Sequence, residues 1–70
     1  MISVFKTSVS NTFEIEALKP LLDAYLGDAK WNFDLEDSDN ILRINSLNEV
    51  SQLAIQVLHD NGFDCDELSD

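Results

Sequence analysis

Seventy residues at 44% hydrophobic content describe one small globular domain and exclude an intrinsically disordered chain. Fourteen Asp and Glu against four Lys and Arg leave a net charge of −10, which repels phosphate backbones and anionic lipid, so basic protein surfaces are the expected partners and nucleic acid and membranes are not. One Cys excludes an internal disulfide, no stretch approaches the roughly 20 apolar residues of a membrane span, and the start carries no secretory leader pattern; the expected compartment is the cytoplasm.

In chain order, residues 2–7 are β-rich, and Ile2 and Val4 are assigned to the inner face of a first strand with Phe5 outside, the reverse assignment being the alternative. Asn11 and Glu14 have the spacing of a helix cap, and Phe13, Ala17, Leu18, Leu21, Leu22, Tyr25 and Leu26 then follow helical periodicity. Pro20 interrupts that pattern, which predicts a continuous but bent helix closed by Gly27. Residues 29–35 form the clearest strand, with Ala29, Trp31, Phe33 and Leu35 on a buried face and Lys30, Asn32 and Asp34 on a wet one.

Residues 36–40 make a turn-rich hairpin, and residues 40–45 return as a strand with Leu42 and Ile44 inward and Ile41 and Arg43 outward. Ser46-Leu47-Asn48-Glu49 matches a capping box and opens a second helix, whose stripe is Val50, Leu53, Ala54, Val57 and Leu58. Gly62 is placed to cap its end, residues 63–66 form a short last strand, and residues 67–70 a frayed tail. Helices and strands with one apolar face each predict an α+β sandwich of ferredoxin-like βαββαβ plan. Its antiparallel sheet has the order 4-1-3-2, both helices cover one face, and Trp31 and Phe33 meet Leu21, Leu22, Leu53 and Val57.

Residues 27–35, Gly-Asp-Ala-Lys-Trp-Asn-Phe-Asp-Leu, and Asn61-Gly62-Phe63-Asp64 resemble conserved-type segments of the heavy-metal-associated domain, the module of copper chaperones and metal-transporting ATPases. The resemblance spans nearly the whole chain and is greatest to short bacterial single-domain relatives that lack the metal motif. In that family M-x-C-x-x-C binds Cu(I) or Zn(II) between the first strand and the first helix. The matching positions here are Val9, Asn11 and Glu14, none of them a thiolate, so no metal or other cofactor is expected at that site.

The remaining chemistry is sparse. Cys65 shares a strand face with Phe63 and is expected to pack as a small hydrophobe, its acidic neighbours working against a thiolate. The alternative reading is a metal-binding or metal-relay protein that uses Cys65 with carboxylates, or one Cys65 from each of two chains. Asp34, Glu36, Asp37 and Asp39 lack the Gly and distal Glu of a calcium loop. His59 is read as placed near a helix C-terminus to offset the helix dipole, and Arg43 as the partner of Asp34 or Asp64. The loop from Lys6 to Asn11 lacks the Arg with which acylphosphatase, of the same general fold, cradles phosphate. The expectation is a non-enzymatic interaction module with two contact surfaces: the acidic hairpin of Asp34, Glu36, Asp37 and Asp39, and an outer sheet face bearing Phe5, Ile41 and Arg43. Homodimerisation through the edge strand at residues 29–35 is a third idea.

Overall fold

The computed structural model describes residues 2–47 and 49–68. Its elements run β1 (Ile2–Thr7), α1 (Thr12–Leu26), β2 (Lys30–Asp34), β3 (Ile41–Asn45), α2 (Ser51–Asp60) and β4 (Cys65–Glu67). All strand pairs are antiparallel, and the sheet order β2-β3-β1-β4 is the expected order read from the opposite edge. One core cluster joins Leu18, Leu22 and Leu26 of α1, Ala54, Val57 and Leu58 of α2, and Phe5, Leu42, Ile44 and Cys65 of the sheet, so both helices lie over the same face.

The facing of β1 is the reverse of the assignment made from sequence. Phe5 is completely buried while Ile2 is 67% exposed, and Ser3 and Thr7 share the inner face with Phe5. Register decides this. Phe5 stands opposite Leu42, and Leu42 stands opposite Phe33, so the three form one row beneath the helices. Thr7 tolerates burial because its hydroxyl donates to the Asn40 carbonyl at 2.7 Å and accepts the Val9 N–H at 3.2 Å.

The first helix runs unbroken through Pro20, which is exposed. Its stripe is narrower than the periodicity implied: Leu18, Leu22 and Leu26 are buried, whereas Phe13 and Tyr25 are exposed. The second helix starts later than the capping box implied, at Ser51, with Val50 at the N-cap and no cap bond from a Val50 side chain. Asn48 of that box lies outside the described residues. The Glu49 carboxylate instead accepts the Ser51 N–H at 2.7 Å, and Ser51, through its hydroxyl and then its N–H, holds the Glu49 carboxyl below its ordinary range. Leu53, placed in the core stripe from sequence, is 45% exposed.

After α2 the chain closes with a Schellman cap. Gly62 adopts φ +86°, the Phe63 N–H donates to the Leu58 carbonyl at 2.9 Å, and the Gly62 N–H donates to the His59 carbonyl at 3.1 Å. Phe63 is therefore still engaged in ending the helix, and Asp64 donates its N–H to the Ser8 hydroxyl. For that reason the last strand begins at Cys65 rather than Phe63 and extends to Glu67, one residue into the expected tail; Ser69 and Asp70 lie outside the described residues.

Opposite the helices, the ladder puts Lys6, Lys30 and Arg43 on the outer sheet face, three of the four Lys and Arg in the chain. Arg43 reaches Asp34 at 3.4 Å, as one of the two expected pairings, and Lys6 reaches Asp39 at 3.7 Å. On the inner side Trp31 ties β2 to α1. Its indole N–H donates to Asp23 at 3.0 Å, and Lys19 sits 5.8 Å from the ring centroid while also reaching Asp23 at 3.2 Å. The Trp31 bond first, then Lys19, holds the Asp23 carboxyl below its ordinary range. A depressed carboxyl stabilises the fold above its unfolded pKa, about 4, and loses that contribution as pH falls through the lower folded value. Asp23→Asn is therefore expected to flatten the drop in urea midpoint between pH 6 and pH 3; equal pH slopes for variant and parent would refute the assignment.

Candidate functional site

The loop between β1 and α1, where the resemblance places a metal motif, is fully engaged in local structure. Val9 is completely buried and belongs to the core cluster. Asn11 is the N-cap of α1, its side-chain oxygen accepting the Glu14 N–H at 2.8 Å. Glu14 returns the exchange one residue early, accepting the Ser10 N–H at 2.8 Å and the Ser10 hydroxyl at 3.1 Å. The three side chains thus fill, cap and close the loop. Among the described residues, no three His, Cys, Asp or Glu side chains converge as a metal site would require.

Cys65 lies opposite Thr7 on the inner face of β4, buried within the core. Burial first, and then the charges of Asp66 and Glu67, push its thiol up to about 12. At neutral pH it is a protonated core filler.

The acidic hairpin is less free than its composition implies. Asp34 accepts the Glu36 N–H at 3.1 Å and faces Arg43, Asp37 accepts the Asp39 N–H at 2.8 Å, and Asp39 faces Lys6. Asn40 completes the turn with φ +50°. The second expected surface is largely absent. Phe5 points into the core, and Ile41, although on the outer face beside Lys6 and Asp34 in the ladder, is only 4% exposed. Its ladder neighbour Lys6 directs its ammonium to Asp39 at 3.7 Å. Arg43 alone of the three is exposed.

A different surface gathers Tyr25, Leu47 and Leu53, three of the six large apolar side chains left exposed among the described residues. A cleft of about 630 Å³ opens between the end of α1 and the start of α2, lined by Tyr25, Leu47, Val50 and Leu53 with Asp28 and Glu49 at its rim. A second cleft of about 490 Å³ continues along the helix pair past Leu21, Val57 and Asp60. Tyr25 and Leu53 line both, so the two clefts adjoin at these side chains, the first reaching down to Lys30 and Asn45 at the strand ends. Leu47 is 97% exposed beside it. Sequence periodicity assigned Tyr25 and Leu53 to the core. Both lie at the margins of their stripes: Tyr25 flanks the buried line Leu18, Leu22 and Leu26 of α1, and Leu53 flanks Ala54, Val57 and Leu58 of α2. Comparison with known proteins finds no match to the chain among family models, curated proteins or solved structures.

Proposed function

We propose that the chain is a non-enzymatic protein-interaction module of ferredoxin-like plan, a metal-free relative of the heavy-metal-associated domain working in the cytoplasm. The βαββαβ order and the sheet order β2-β3-β1-β4 support the ferredoxin-like reading. The observation that carries the functional reading is the groove, where Tyr25, Leu47 and Leu53 surround a concavity of ligand-binding size. Its ionisable rim is Asp28, Glu49 and Asp60 against Lys30. That balance selects a basic amphipathic helix, which places apolar anchors between the helices and Lys or Arg against the rim. The metal-relay alternative has no comparable support, because Cys65 is buried with its thiol pushed up to about 12.

Titration of the labelled chain with a Lys/Leu amphipathic peptide, followed by amide NMR shifts, tests this reading. The expected result is saturable shifts at Tyr25, Leu53 and Gln56, abolished by Tyr25→Ala with Leu53→Ser and absent with an acidic peptide of the same apolar pattern. Shifts confined to residues 34–40, or equal response to both peptides, would overturn it.

A further inference from the structure

The strand β2 lies at the sheet edge, with β3 on one side and no strand on the other among the described residues. An open edge presents alternate backbone N–H and C=O groups that can accept another strand. Two half-buried aromatic side chains, Trp31 and Phe33, stand on its inner face with ring centroids 5.9 Å apart. On the outer face the order is Lys30, Asn32, Asp34.

We infer that two copies of this chain pair antiparallel along β2, with Asn32 on the two-fold axis. Edge groups of one parity face outward, so a two-fold strand pair must oppose residues of like parity. Axes at Trp31, Asn32 or Phe33 all satisfy this, but the Asn32 axis alone overlaps the whole of Lys30–Asp34. It puts Lys30 of each copy opposite Asp34 of the other on the outer face. On the inner face it puts Trp31 opposite Phe33 twice, covering the aromatic surface each chain leaves exposed. An axis at Trp31 sets Lys30 against Asn32, and an axis at Phe33 sets Asp34 against Asn32, so both lose the charge match. A Lys on an edge strand ordinarily deters pairing; here, in this register alone, it meets a carboxylate within the same strand. The interface is isologous, as a two-fold contact requires. At about 0.15 M salt, a Debye length of roughly 8 Å screens the mutual repulsion of the two acidic chains while leaving pairs in contact effective.

Sedimentation equilibrium of the full chain at that salt is expected to show a monomer–dimer equilibrium. Lys30→Asp is expected to weaken it about tenfold and Lys30→Arg, which keeps the charge, to leave it within about twofold. Register is read by mild diamide oxidation. Asn32→Cys is expected to form a disulfide-linked dimer, whereas Lys30→Cys is not, since its counterpart in the other copy lies four residues along the strand. Because residue 32 is exposed and on the outer face, that variant leaves the core intact. A strictly monomeric parent at millimolar concentration, or equal crosslinking at positions 30 and 32, would overturn the inference.

Discussion

Phe5→Ala is expected to remove about 3–5 kcal/mol of stability, the range for truncating a buried Phe. A domain of this size holds roughly 3–5 kcal/mol in its core, so the variant should be largely unfolded at 25 °C by far-UV circular dichroism. The reason is geometric. Phe5 is completely buried, sits in one row with Leu42 and Phe33, and belongs to the cluster that both helices cover. Phe5→Leu keeps most of the volume and should lose roughly 1.5 kcal/mol, measurable by urea denaturation of a folded protein. Ile2→Ala, on the opposite face and 67% exposed, should stay within about 0.5 kcal/mol. If Ile2→Ala proved the more damaging of the two, the facing of β1 would be wrong.

Native Cys65 is expected to react with iodoacetamide about a thousandfold more slowly at pH 8 than the same thiol in urea. The thiolate is the attacking species, and a thiol at about 12 rather than its ordinary value supplies about three decades less of it. Burial limits access in the same direction. Comparable native and unfolded rates would place the sulfur at the surface. The same shift sets a pH dependence. The unfolded chain releases the thiol proton as pH passes about 8.5, while the folded chain retains it up to about 12, so stability is full below that lower value and declines as pH rises above it.

The architecture was legible because each element carries its own signal. Alternation in residues 30–34, the apolar pair Leu42 and Ile44, and the helical runs each fix a type, and the sheet order follows from packing both stripes on one face. Two kinds of information were missing. Strand β1 contains apolar residues of both parities, Ile2, Val4 and Phe5, so period two alone cannot choose its inner face; pairing with Leu42 does. Helix stripes overstate burial, because residues at the margin of a stripe need not reach the core, and Tyr25 and Leu53 lie at those margins, 59% and 45% exposed. The candidate groove was hidden for that reason: its residues look like core in any periodicity plot. The acidic hairpin drew attention by composition, whereas Asp34, Asp37 and Asp39 mostly satisfy local donors. At Val9, Asn11 and Glu14 the absence of thiols was visible from sequence, but the structural tasks of all three emerged only with the loop in place.

Lys6, Lys30 and Arg43 share the uncovered sheet side with the carboxylates of Asp34 and Asp66, and Arg43 and Lys6 are held by Asp34 and Asp39. That side is therefore close to neutral within a chain of net charge −10, and a cationic body gains least by approaching it.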